Sequence, residues 1–124
     1  MSNYKKTEIG KLADLCTKCE NGKAFLHDAL GLTSCEISAN CMPAGVKLPF
    51  NHKHKQNEEV YIFLKGNGTM TLDGETLDVK EGSCVCVAPC AVRTMEAKTE
   101  LEYICVQAKK DSLQQYGFGD GEIC

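Results

Sequence analysis

Leu48-Pro49-Phe50-Asn51-His52-Lys53-His54-Lys55-Gln56-Asn57-Glu58-Glu59-Val60-Tyr61-Ile62-Phe63-Leu64 is the stretch on which the reading of this chain turns. With the two-residue period of a strand, Leu48, Phe50, His52 and His54 share one face, and Pro49, Asn51, Lys53 and Lys55 share the other. The histidines thus continue an apolar, inward-looking row. After a polar turn at Gln56 and Asn57, a second strand from Glu59 to Leu64 puts Glu59 on the face of Tyr61 and Phe63. Glu58 is the rival carboxylate, but parity sends it away from Tyr61. A carboxylate on an apolar face is costly to bury without a cation or hydrogen-bond partner. Two imidazoles and a carboxylate form the mixed donor set that divalent transition ions accept while keeping open coordination positions. His52, His54 and Glu59 are therefore the candidate ligands of one divalent transition metal ion, and Zn, Fe, Mn and Ni all suit them. The alternative is a solvated pair of strand histidines beside an ordinary acidic turn.

Gly45, then His52-Lys53-His54, then Glu59 and Gly66 resembles the first signature motif of the cupin superfamily, G-x5-H-x-H-x(3,4)-E-x6-G, with one extra residue between Gly45 and His52. Gly82 to Pro89 and onward resembles the second motif in part. Ala91 replaces a glycine, Thr94 stands where a fourth ligand histidine is expected, and Lys98 replaces an asparagine. The resemblance implies a small, single-domain, bacterial-type cupin: an all-β, double-stranded β-helix, or jelly-roll barrel, with His52, His54 and Glu59 as metal ligands.

Strand and turn signals point the same way. From Thr33 onward, short strand-like runs are separated by Pro43-Ala44-Gly45, Lys65-Gly66-Asn67-Gly68, Asp73-Gly74 and Glu81-Gly82, with no helical stretch between them. Such spacing predicts an antiparallel sandwich or barrel, and Asp73-Gly74 is a two-residue hairpin signal. Ahead of it, Ile9, Leu12, Leu15 and Cys16 make a loose helical stripe, and Asp28 to Gly31 reads as a turn. The expected organisation is an N-terminal arm over residues 1–32 packed on the barrel, the barrel over 33–108, and a polar, glycine-rich tail over 109–124. Tyr116 or Phe118 in that tail could close over a barrel mouth or a neighbouring subunit.

A chain of 124 residues, 43% hydrophobic and 25% charged, is long enough for one core and has an ordinary soluble balance. Net charge −3 gives no field to gather phosphate backbones, and no basic cluster alternates with aromatics, so nucleic acid is not an expected partner. No apolar run approaches a membrane span, and the polar start lacks the apolar core of a signal peptide, so a cytoplasmic protein with no membrane partner is expected. Nine cysteines, an odd number, then read as reduced, small hydrophobes in strands, Cys41 and Cys105 among them. Cys16-Thr17-Lys18-Cys19 is the only C-x-x-C pair, able in principle to hold a metal or exchange thiols.

Arg93 is the remaining polar residue of interest. A one-residue shift in the second motif would put it in place of the missing histidine, aimed into the barrel, where its fork could hold a carboxylate or phosphate. If Thr94 points inward instead, Arg93 is a surface residue. Tyr61 could add a hydroxyl to the site, or be a core tyrosine bonded to backbone. Three readings stay open: a metal-dependent isomerase or oxygenase acting on a small oxygen-rich, sugar-like or organic-acid ligand; a non-catalytic module binding a sugar or organic acid, its ligand anionic if Arg93 faces it; and a structural barrel without metal. The doubly apolar run Val60 to Leu64, with the way cupins pair through their sheets, predicts a homodimer.

Overall fold

The alternation read from Glu36 onward becomes two antiparallel sheets in the computed structural model, which describes residues 3–18 and 20–124. The strands are β1 (Lys23–Phe25), β2 (Glu36–Met42), β3 (Asn57–Lys65), β4 (Asn67–Leu72), β5 (Glu75–Lys80), β6 (Cys84–Val87), β7 (Arg93–Ala97) and β8 (Leu101–Lys109). A five-stranded sheet runs β1-β2-β8-β3-β6 and a three-stranded sheet runs β5-β4-β7. Their inner faces meet in one core. Tyr61, Phe63, Tyr103 and Leu101 from the larger sheet pack with Met70, Val79, Met95 and Ala97 from the smaller. The three aromatic rings lie with centroids 5.4 to 6.5 Å apart, the spacing of favourable ring contacts.

Turn chemistry sets the registers. Asp73 and Gly74 both take positive φ, 49° and 85°, and Leu72 pairs with Glu75, so the expected two-residue hairpin joins β4 and β5. Gly66, at φ 93°, links β3 to β4 where a Cβ would collide with the Glu100 carbonyl oxygen. No side chain fits there, which accounts for the motif glycine.

The strand expected over Leu48 to Lys55 does not form. This segment follows the edge of β7 through two isolated bridges, Lys47 with Glu96 and His52 with Arg93. Five positions separate the bridged residues on one side and three on the other, so Pro49, Phe50 and Asn51 bulge away. Proline has no N–H to give a ladder, which favours such a break. Phe50 is consequently 61% exposed, whereas Leu48, His52 and His54 keep the expected inward parity.

Ahead of the barrel, helix α1 (Leu12–Lys18) lays Leu15 against Ala39 and Cys41 on the outer face of β2, flanked by Ile9, Leu12 and Ala24. Strand β1, which pairs with β2, and helix α2 (His27–Leu30) are elements the residue pattern does not announce. Expecting Cys41 as a reduced strand cysteine fails, because Cys16 and Cys41 form a disulfide with Cα atoms 5.0 Å apart. Helical phase turns Cys16 toward β2, and strand parity turns Cys41 outward to meet it. Cys19, the other half of the C-x-x-C pair, lies outside the described residues. In the tail, Tyr116 and Phe118 are exposed and do not cover this barrel's own interior. No helix among the described residues is long and apolar enough to cross a membrane.

Candidate functional site

His52 and His54 are held by backbone rather than by a regular strand. His52 exchanges two hydrogen bonds with Arg93, its N–H donating at 3.1 Å and its carbonyl accepting at 2.9 Å, and the His54 carbonyl accepts from the Cys90 N–H at 2.7 Å. Glu59 comes from β3, an interior strand of the larger sheet, between Val87 on β6 and Gln107 on β8. One donor atom from each of His52, His54 and Glu59 lies within 4.8 Å of the other two. Glu58, of opposite parity, is not in the group.

The two oxygens of Glu59 have different surroundings. Oε1 accepts from Arg93 Nη1 at 2.6 Å and from the Tyr61 hydroxyl at 2.7 Å. Oε2 faces His54 Nε2 at 3.3 Å and the Cys105 thiol at 3.4 Å. Both ionic partners are interior, with Arg93 at 1% and Glu59 at 5% exposure. Burial alone would raise the Glu59 pKa, but hydrogen bonds from Tyr61 and Arg93 and the nearby His54 bring it below the ordinary carboxylate value, so Glu59 stays ionised. The same burial and the Glu59 charge hold Tyr61 strongly protonated and push the Cys105 thiol up to about 12.

Arg93 is inside the barrel, as the shifted motif predicts, but its fork is not free. Nε donates to the Ala91 carbonyl, and Nη2 donates to the carbonyls of Ala88 and Ala91. With Nη1 on Glu59, no bidentate face remains for a ligand. Thr94 also reaches the cavity, and its buried hydroxyl has no partner.

The cavity beside these groups measures about 340 Å³. Its walls include Leu48, Phe50, Met70 and Met95, with Tyr61 and His52 at the candidate metal centre. The residue pattern did not single out Lys23, Ser38 and Cys105, which line it too. A signal existed for Ser38: with Asn40 it interrupts an apolar strand at inward parity, beside Met42.

The residues fit a metal. His52 Nδ1 is buried with no hydrogen-bond partner, a costly state that an ion would relieve, and burial lowers the His52 pKa toward the neutral ring that ligates. Glu59 Oε2 is the oxygen not taken up by Arg93 and Tyr61. A ligand carboxylate steadied through its other oxygen is a common outer-shell arrangement.

Comparison with known proteins agrees with this geometry. The family described as "Cupin domain" matches residues 40–107, more than half of the chain. This chain belongs to the cupin family. The cupin is 34% identical over 123 residues to an uncharacterised protein of Methanocaldococcus jannaschii, covering 95% of this chain and 93% of the relative. Its fold is similar to that of a cupin protein from Bacteroides fragilis, at TM-score 0.86 and 36% identity, covering 100% of this chain and 99% of the other. A predicted oxalate decarboxylase from Thermotoga maritima shares the barrel, at TM-score 0.56 and 24% identity over 59% of this cupin and 64% of that chain.

Proposed function

We propose that this cupin is a metal-dependent small-molecule protein in which His52, His54 and Glu59 hold one divalent transition metal ion beside a cavity for a single small, oxygen-rich compound, sugar-like or an organic acid, undergoing isomerisation or oxygenation. The observation that carries the reading is the division of labour at Glu59. Oε1 is fixed by Arg93 and Tyr61, while Oε2 turns to His54 close to the unpartnered His52. An ion bound there would supply Lewis acidity to a ligand oxygen. The chain's own residues have separate tasks. Arg93 and Tyr61 set the rotamer of Glu59, burial keeps His52 neutral, and Leu48, Met70 and Met95 exclude water from the ligand's apolar side. Tyr61 and Cys105 keep their protons at neutral pH, so neither serves as a base, and proton movement falls to the ligand itself. Metal analysis of protein prepared without added metals or chelators, followed by isomerase and oxygen-uptake assays on the loaded protein, tests the reading.

A second reading has its own observation. The Arg93–Glu59 pair at 2.6 Å already balances the carboxylate that is buried among the described residues, so the barrel could close without an ion and serve as a non-catalytic binding module or structural barrel. The orphaned His52 nitrogen is what disfavours it.

We also propose that the cupin is a homodimer. Helix α1 covers the outer face near β2, but Val60, Ile62 and Val106 on β3 and β8 are only half-buried and Leu64 is exposed. The free, exposed Cys84, Cys86, Cys90 and Cys124, which would be prone to pairing in an oxidising compartment, favour a cytoplasmic location, against which the Cys16–Cys41 disulfide stands.

A further inference from the structure

We propose that Lys23, not Arg93, is the anion-recognising residue of the cavity, and that it selects a small carboxylate with an apolar body. This rests on the proposed use of the cavity as a small-molecule site, though not on the metal.

Register places Lys23 there. On β1 it pairs with Asn40 and Phe25 pairs with Ser38, so both side chains take the inward parity of Ser38 and Asn40, while Ala24 turns out toward α1. Gly22, just before it, sits where a Cβ would strike the Cys41 carbonyl oxygen, so only glycine lets the chain enter β1 this close to β2. The Lys23 ammonium donates to Asn40 Oδ1 at 2.6 Å and lies 5.8 Å from the centre of the Tyr103 ring. Asn40 is itself locked, its amide donating to the backbone carbonyl and the hydroxyl of Ser38. Lys23 therefore has a fixed position and neutral partners. Among the described residues it makes no ion pair.

The other charged side chains on the cavity wall already have hydrogen-bond partners. Arg93 and Glu59 answer each other. Glu36 accepts the backbone N–H groups of Leu26, His27 and Ile37 through Oε1, at 3.2, 2.8 and 3.0 Å. That leaves the partly buried Lys23 as the cation with no ion-pair contact among the described residues; burial lowers its pKa, and the more distant Glu59 charge offsets this only in part. An ammonium held out of water beside a neutral amide gains most from an anion delivered to it. The apolar side chains Leu48, Phe50, Met70 and Met95 line the same cavity. They cannot pair with a polyhydroxylated body but can cover a hydrocarbon one. A volume of about 340 Å³ admits a single-ring guest.

The test is calorimetric titration of benzoate, with benzamide as its neutral isostere, into wild-type protein and the Lys23→Met and Lys23→Arg variants, each with its metal content measured. Lys23→Met keeps the apolar stem and removes a desolvated charge, and its melting temperature confirms folding. Wild type should bind benzoate at least about tenfold more tightly than benzamide, the scale of one charge-assisted hydrogen bond. Lys23→Met should lose about that factor and Lys23→Arg should retain most of it. The same pattern in metal-free protein supports Lys23 even if the metal reading fails. Equal benzoate affinity in wild type and Lys23→Met, benzamide binding as tightly as benzoate, or no benzoate binding by wild type overturns the proposal, whether or not a metal is present.

Discussion

Arg93 holds two of the three candidate ligands at once: its main chain exchanges a pair of hydrogen bonds with His52, and its Nη1 donates to Glu59 Oε1 at 2.6 Å across 34 residues of sequence. The first residue of β7 thereby fixes an irregular edge segment and a strand residue of the opposite sheet in one geometry. An arginine near the position of a fourth histidine is on this account a positioning residue.

Replacing Arg93 tests that role. In metal-free protein, Arg93→Leu leaves Glu59 buried without a cation and should cost about 3–5 kcal/mol, as removing one partner of a buried ion pair does. Arg93→Lys restores the charge but not the bonds to the Ala88 and Ala91 carbonyls, so it should recover only part of the loss. Urea unfolding of the two variants measures both effects, and a loss under about 1 kcal/mol in Arg93→Leu would contradict the assignment.

How much of this was legible in the sequence depended on what each residue answers to. Strand parity separates Glu59 from Glu58, because side-chain alternation is local, whereas His52 and His54 keep the expected inward parity although their segment forms no regular strand. Asp73-Gly74 was readable for the same reason, since two positive φ values require such residues. The break at Pro49 to Asn51 was not, because it follows from how the segment must reach both Glu96 and Arg93 on the neighbouring strand. Lys23 and the Cys16–Cys41 bond were equally hidden, as both depend on β1 and α1 docking onto β2 across a long separation. The direction of Arg93 was suggested by motif position, but that its fork is taken up by carbonyls two and five residues earlier is a property of the folded turn.

Lys23 should leave a mark on the pH dependence of stability. Burial holds its folded pKa below the ordinary 10.5. Between the two values the unfolded chain binds a proton that the folded chain does not, so stability from this group rises with pH over that alkaline window. Wild type should gain stability relative to Lys23→Met as pH is raised through it. Parallel unfolding curves for the two proteins at every alkaline pH would contradict the shift.

The Cys16–Cys41 bond closes a loop with a sequence separation of 25 and ties α1 to β2. Its reduction should cost about 3 kcal/mol, chiefly by freeing the unfolded chain. Because the bond lies on the outer face, metal and benzoate binding should survive in the folded fraction. Thermal unfolding with and without reductant reads the stability change, and an unchanged midpoint would show that the bond does not stabilise the protein.

The homodimer is tested by placing a charge on the half-buried face of β3. Ile62→Lys should convert the dimer to monomer at micromolar concentration while keeping the metal, because Ile62 faces away from the Glu59 side of the strand. Sedimentation showing wild type already monomeric would remove the dimer from the account.

Whether His52, His54 and Glu59 ligate a metal is decided by the metal content of wild-type protein and of His52→Ala/His54→Ala, both purified without added metals or chelators. Wild type should carry about one equivalent of a divalent transition metal, lost as the solution is acidified and protons compete for the ligands. The double variant should carry none while its sheet content is unchanged. Equal metal content in the two proteins, or a metal-free wild type that takes up no divalent ion on titration, would contradict the claim and leave the Arg93–Glu59 pair as the resting state of a barrel without metal.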